Sequence, residues 1–256
     1  MLEAIAVLAA GFWAGMINVV VGSGTLVTFP TLLLFGYPPL VANVSNNIGL
    51  VGGGITGTVG YRRELAGHGP ALRRLLPASV LGGSTGAVLL LVLPADAFRM
   101  IVPALIAVGL VMVVWGPALQ RRARRGTGPD LATMSPRRLA VVVAGIYLLG
   151  IYGGYFGAAQ GVLIVGLMSA LTAEGLQSIT GLKNLLTTAV NAVAAIAFLI
   201  LSPESVDWTA VALIAAGATL GGVAGARFGR RLSPLLMRTL IVVVGLAAIV
   251  RMLFFG

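Results

Sequence analysis

From Ala4 to Tyr61 the chain runs 58 residues without a charge. A second apolar block, from Leu139 to Pro203, covers 65 residues and is interrupted only by Glu174 and Lys183. A bilayer crossing takes about 20 apolar residues, so the first block holds two or three crossings. Four single apolar stretches, at roughly 75–93, 100–119, 209–226 and 239–255, complete the set. The pattern predicts an all-α polytopic membrane protein with roughly 8–10 membrane segments. Residues 1–119 are expected to form a first transmembrane repeat, 120–138 an Arg-rich linker, and 139–256 a second repeat. The N-terminus has Glu3 where a cleaved signal would carry basic residues, so it reads as a retained first span.

Displacing the second half by 137 positions aligns it with the first: Gly24 falls on Gly161, Leu26 on Leu163 and Asn47 on Asn184. Each block then reads as an apolar helix, a glycine-rich break, a short segment of about 12 residues, a turn and a long helix. The breaks are Gly22-Ser23-Gly24 and Gly157-Ala158-Ala159-Gln160-Gly161. Short helices are expected to begin near Thr25 and Val162. Discontinuous helices at matching places in two halves are a mark of transporter folds. Duplication in a structural protein or a membrane enzyme is the alternative.

Composition removes other classes. Hydrophobic residues make up 58% of the chain, charged ones 9%, and the mean hydropathy is +1.03. Soluble domains run at about 25% charged, so a soluble enzyme, a disordered tail and a DNA-binding domain are excluded. The net charge of +10 therefore does not mark a nucleic-acid partner. It comes from arginines in loops: Arg62, Arg63, Arg73 and Arg74; Arg121, Arg122, Arg124, Arg125, Arg137 and Arg138; and Arg227, Arg230, Arg231 and Arg238. Loop 94–99 has Arg99 and Asp96, and loop 202–208 only Glu204 and Asp207. Arg-rich loops stay cytoplasmic. With 120–138 inside and 202–208 outside, block 139–201 crosses an odd number of times. Three crossings, one of them short, fit its length. The first block, counted likewise, puts the N-terminus outside, and both termini are expected there. Loop 62–74 is then inside while its counterpart 202–208 is outside, so the repeats are expected to be inverted. Arg251, near the end of the last span, runs against this pattern. Without cysteine there is no disulfide, thiolate nucleophile or Cys-ligated metal.

At its breaks the sequence resembles the sulfite exporter TauE/SafE family, also called the toluene-sulfonate uptake permease family. The first-repeat stretch is Gly22-Ser23-Gly24-Thr25-Leu26-Val27-Thr28-Phe29-Pro30, then Leu32-Leu33, Gly36-Tyr37-Pro38-Pro39 and Ala42-Asn43-Val44-Ser45-Asn46. The second runs from Gly150 through Tyr152-Gly153-Gly154-Tyr155-Phe156-Gly157 to Gln160-Gly161, and on to Gly181-Leu182-Lys183-Asn184 and Asn191. The resemblance covers essentially the whole chain. It implies a permease of the cytoplasmic membrane that moves small anions, typically sulfite or organosulfur compounds such as sulfonates.

Candidate binding residues gather at the breaks and on the long helices after them. Lys183 is the only lysine and stands in an apolar stretch. A cation at the bilayer centre costs about 2.5–3.5 kcal/mol on insertion scales and normally faces a cavity and a partner. It lies roughly seven to nine residues into its segment, about 10–13 Å along a helix, which strains a snorkelling path. An anion ligand is the functional reading; pairing with Glu174 is the plain one. All six asparagines, Asn18, Asn43, Asn46, Asn47, Asn184 and Asn191, fall in the apolar blocks. They are either interhelical glue or a polar path whose amides meet an anion, the reading favoured for Asn47 and Asn184. Ser45 sits beside Asn46. At the breaks, Gly22, Gly24, Gly157 and Gly161 permit unwinding. The N–H ends of the short helices, with Ser23, Thr25 and Gln160 beside them, favour an anion. A packing kink is the alternative. Gly49, Gly53 and Gly57, and Gly217, Gly221, Gly225 and Gly229, recur every four residues, the spacing of close helix packing. His68, the only histidine, reads as a solvated loop residue. Trp13, Trp115, Trp208, Tyr37 and Tyr61 read as interfacial anchors.

The expected function is therefore secondary transport of a small sulfur-containing anion, in the export direction, with uptake equally compatible. No nucleotide-binding motif is present, and no cofactor, metal or nucleic acid is expected. Membrane lipids are partners, and a homo-oligomer is compatible. An intramembrane enzyme would need a Ser–Lys pair that no motif supports. An anchor subunit would need neither the matched breaks nor the buried lysine.

Overall fold

A computed structural model describes residues 1–123, 129–131, 133–229 and 233–254, without the side chains of 95, 96, 99, 119–123, 234, 253 and 254. Arg124, Arg125, Arg230 and Arg231, and the side chains of Asp96, Arg99, Arg121 and Arg122, thus lie outside the described residues.

Among the described residues every regular element is helical. The first half holds α1 (Leu2–Val20), α2 (Thr25–Leu34), α3 (Pro39–Gly60), the single turn α4 (Arg62–Leu65), α5 (Gly69–Val92) and α6 (Ala95–Ala123). The second holds α7 (Pro136–Tyr155), α8 (Gln160–Leu171), α9 (Leu176–Leu201), α10 (Trp208–Phe228) and α11 (Pro234–Phe254). Seven of these, α1, α5, α6, α7, α9, α10 and α11, are long and apolar enough to cross a membrane. At 22 residues α3 has the length, but its asparagines and glycines dilute its hydropathy. At 10 and 12 residues, α2 and α8 reach only about 15–18 Å at 1.5 Å per residue, about half a hydrocarbon core. The chain is a multi-pass all-α membrane protein.

The short helices fold back along the helices before them. α2 ends at Gly36, whose φ of +89° lets Gly36 N–H reach Leu33 O (3.0 Å) and Tyr37 N–H reach Leu32 O (3.2 Å). This is the glycine-closed C-terminus that a left-handed residue allows. Tyr37 O–H then donates to Glu3 Oε1 at 2.7 Å, so α2 returns to the end where α1 begins. Burial, then the Glu3 bond and the Asp207 and Glu3 charges, push the Tyr37 hydroxyl up to about 12. At the opposite end, Ala173 N–H donates to Pro129 O (3.2 Å) and Leu131 N–H to Glu174 Oε1 (3.2 Å). The end of α8 thus returns to the segment from which α7 starts. His68 joins that end through Glu174, and Arg251 joins the first end by donating to Leu34 O. α1 and α7 therefore start from opposite ends of the bundle.

Three helix pairs carry the closest packing, α1 on α10, α5 on α7 and α3 on α10. Gly225 fits so tightly that a Cβ there would lie 3.0 Å from Met16 Cα, and Gly217 and Gly221 likewise face the backbone of Leu8 and Phe12. Between α5 and α7, a Cβ on Gly150 would lie 2.9 Å from Ser79 O, and Gly82, Gly86 and Gly154 also meet backbone. Gly49, Gly53 and Gly57 on α3 receive Ile214, Ala218 and Val19. Small residues on this spacing pack helices in lipid, where apolar burial alone supplies no drive.

Two expectations shift. Loop 62–74 is largely helical: Arg62 and Arg63 sit on α4, and Pro70 opens α5 ahead of Arg73 and Arg74. Arg137 and Arg138 likewise lie in the first turn of α7, and Arg227 in the last turn of α10. Hydropathy marks the lipid-facing length, whereas backbone hydrogen bonding carries helices on past it. The repeat register also changes along the chain. The broken helices end at Val20 and Tyr155 and the short ones start at Thr25 and Gln160, so the breaks match at a displacement of 135. α3 and α9 start at Pro39 and Leu176, a displacement of 137. The two extra residues of α8 absorb the difference, so Gly161 is not the structural counterpart of Gly24.

Candidate functional site: two helix breaks in contact

Both broken helices close alike. Val21 and Gly22 N–H both donate to Ile17 O, at 2.7 and 3.0 Å, and Phe156 and Gly157 N–H both donate to Tyr152 O, at 2.9 and 3.0 Å. Gly22 (φ +91°) and Gly157 (φ +79°) turn the chain in the left-handed region, where L side chains are disfavoured. Asn18 Oδ1 then accepts from Gly24 N–H at 3.1 Å. At the second break, Tyr152 O–H donates to Ala158 O (2.5 Å) and Gln160 Nε2 to Leu149 O (3.0 Å). The chain enters α8 through Ala159 at φ +60°, the only non-glycine residue with positive φ among those described. Ala159→Gly is expected to raise the thermal midpoint. Relief of about 1–2 kcal/mol of left-handed strain exceeds the extra backbone entropy, a few tenths to about 1 kcal/mol. Unfolding of the purified protein followed by tryptophan fluorescence checks it.

The breaks touch. Gly161 N–H donates to Gly22 O at 3.0 Å, across the two halves. A Cβ on Gly161 would lie 2.6 Å from Gly22 Cα, so only glycine admits this approach. Around the contact, Phe29 of α2 meets Phe156 edge-on at 5.1 Å, and Phe98 of α6 meets Tyr155 at 5.7 Å.

Lys183 has no exposed surface. Its Nζ donates to Asn18 O (2.7 Å) and Val19 O (2.9 Å), and its Cδ lies against Gly22 and Gly161. Those carbonyls belong to the last turn of α1, where intrahelical donors run out and the dipole is negative. The same relation holds with the halves exchanged: Asn43 Nδ2 of α3 donates to Tyr155 O (3.0 Å), the last residue of α7. The helix after each short helix thus caps the broken helix of the other half. Lys183 is not paired with Glu174, which holds His68 Nε2 at 2.9 Å. His68 is therefore no solvated loop residue: its side chain is 17% exposed and joins the α4–α5 connection to the α8–α9 turn.

The other candidates divide. Asn46 Nδ2 reaches Thr25 Oγ1 at 3.5 Å, and its Oδ1 accepts from Thr28, tying α3 to the start of α2. Ser45 Oγ accepts from Asp207 N–H at 2.9 Å, a bond that fixes the turn into α10. Ser23 Oγ, Asn47 Oδ1 and Asn184 Nδ2 are buried without a partner. Asn47 and Asn184 do not meet as a pair. α3 and α9 run antiparallel with Thr58 and Thr188 bonded at 3.2 Å. Asn184 is about one turn to one side of that level, and Asn47 about three turns to the other. Asn191 is half-buried, about two turns along α9 from Asn184. Asn47, Asn184 and Asn191 are thus spread along α3 and α9 rather than gathered in one cluster. Of the aromatic anchors, Trp115 and Trp208 are 60% and 62% exposed, whereas Tyr61 is buried. Among the described residues no three His, Cys, Asp or Glu side chains assemble as a metal set.

A family model described as "Sulfite exporter TauE/SafE" matches residues 7–252. The chain is 28% identical over 249 residues to "Probable membrane transporter protein ORF9" of Sinorhizobium sp, covering 95% of this chain and 90% of that protein. It is 25% identical to a "Probable membrane transporter protein" of Haemophilus influenzae, at 95% and 92% coverage. It is 28% identical to "Probable membrane transporter protein YfcA" of Escherichia coli strain K12, at 94% and 86%.

Proposed function

Since the chain belongs to the sulfite exporter TauE/SafE family, we propose that it is a secondary permease for sulfite or an organosulfonate, working in the export direction. The observation that carries this is the contact of the two helix breaks in the bundle interior, at the N-terminus of α8, with buried, unpartnered Ser23 and Asn184 amid the adjoining helices. Helix N-termini present N–H donors and positive dipole ends to an anion. The Ser23 hydroxyl and the Asn184 amide add donors, and Asn47 presents its NH2 once its amide turns half a revolution. No bond of the substrate changes, so the protein acts as a carrier and not as an enzyme.

The two halves read as inverted repeats, because α1 and α7 start from opposite ends. The end holding His68, Glu174 and the arginines of α4 reads as cytoplasmic by its charge, with the termini outside. In this reading the Gly161 N–H···O Gly22 bond is the closed centre. Rocking of one half against the other breaks it and exposes the α8 N-terminus to the anion. A potential negative inside favours exit of an anion by about 2.3 kcal/mol per charge per 100 mV, which supports export over uptake.

The test is flux of sulfite and of several sulfonates in proteoliposomes. Saturable, potential-sensitive efflux of at least one is expected. No protein-dependent flux of any of them would overturn the permease reading.

A further inference from the structure

We propose that the groove between the end of α3, α4 and the end of α10 is a binding site for an anionic phospholipid. The groove holds about 550 Å³. Its floor is apolar, formed by Ile55 and Val59, both 51% exposed, together with Val223 and Ala226. Its rim carries Arg62 and Arg63 from α4 and Arg227 from the last turn of α10, against the single carboxylate of Glu64. The second large groove, about 490 Å³ between α6, α7 and α8, is lined by apolar side chains and glycines and carries no charge to select a ligand.

The division between floor and rim specifies the ligand. Ile55 and Val59 stand one turn apart on α3, in line with the helix axis, and form a trough for an acyl chain. The arginines begin immediately beyond, at Arg62, where the apolar run of α3 stops. A phosphodiester at that height meets guanidinium forks that bind its oxygens in pairs. Basic pockets between helix ends are sites where anionic headgroups are held. Free phosphate would satisfy the rim but would leave the trough unfilled. A zwitterionic lipid would fill the trough but bring a cation to the arginines. An anionic phospholipid, such as phosphatidylglycerol, satisfies both. It would bridge α4 to α10, and hence the two halves, without entering the break region.

Native mass spectrometry of the full-length purified protein, offered phosphatidylglycerol and phosphatidylcholine of identical chains, tests this. Preferential retention of phosphatidylglycerol by about tenfold or more is expected from three arginines near a headgroup. The triple variant Arg62→Gln/Arg63→Gln/Arg227→Gln should abolish the preference. Ile55→Trp, which fills the trough and leaves every charge in place, should abolish retention and keeps the test decisive if the triple variant does not fold. Equal retention of the two lipids, or an unchanged preference in Ile55→Trp, would overturn the proposal. So would complete displacement of the lipid by millimolar inorganic phosphate, which would make this a site for a free anion.

Discussion

Lys183→Met is expected to lower the stability of the protein by roughly 1–4 kcal/mol and to abolish anion flux. Methionine matches the lysine stem in length but cannot donate. Asn18 O and Val19 O, which now accept at 2.7 and 2.9 Å, would lose their partner inside the bundle. An orphaned buried acceptor costs about 1–3 kcal/mol. Removing a cation from the membrane interior gives back part of its burial cost, about 2.5–3.5 kcal/mol on insertion scales. That refund is limited, because in the less folded protein the same lysine can snorkel to the interface. The capping loss therefore wins. Lys183→Gln keeps one donor near the same carbonyls and should recover part of the stability. Thermal unfolding in detergent and flux in liposomes read the capping role and the demand of transport on this cation separately. A wild-type midpoint in Lys183→Met would remove the capping role, and unaltered flux in Lys183→Gln would show that transport does not need its charge.

The capping geometry also marks the limit of what sequence reveals. The charge pattern was sufficient for the spans, because a charge in hydrocarbon is expensive enough that its absence over 58 residues has one explanation. Glycine pairs were sufficient for the breaks, since left-handed turns such as those at Gly22 and Gly157 exact little from glycine alone. Partners across the halves were not legible. Lys183 reads as an unsatisfied cation along the chain, and only the packing of α9 on the end of α1 shows that two carbonyls already occupy it. Asn43 is equally mute until Tyr155 is placed beside it. His68 and Glu174 are 106 positions apart, and nothing local in either residue announces their pairing. Ala159 takes a left-handed conformation that no glycine marks. The register slip between breaks and long helices was hidden because an alignment displaces whole blocks, while α8 is lengthened inside its block.

Gly161→Ala is expected to reduce flux severely, and Gly22→Ala to reduce it further. A Cβ on Gly161 would stand 2.6 Å from Gly22 Cα, 2.7 Å from Lys183 Cδ and 2.9 Å from Gly22 O. Two of those three neighbours are backbone and cannot rotate away, so the breaks must separate. Overpacking costs about 1–3 kcal/mol, and the Gly161 N–H bond to Gly22 O contributes roughly another 0.5–1.5 kcal/mol. Gly22→Ala meets the same wall from the other side, at 2.6 Å from Gly161 Cα, and must also hold φ at +91°. That left-handed strain adds about 1–2 kcal/mol. The double variant should cost less than the two singles together, because both act on one contact. Gly166→Ala is the matched control. It lies in the same helix, no atom stands within 4 Å of its added Cβ, and alanine favours the helix by up to about 1 kcal/mol. Its midpoint should hold or rise and its flux should persist. If Gly161→Ala instead behaved like Gly166→Ala, the two breaks would not be in contact, and the closed centre assigned to them would have to lie elsewhere.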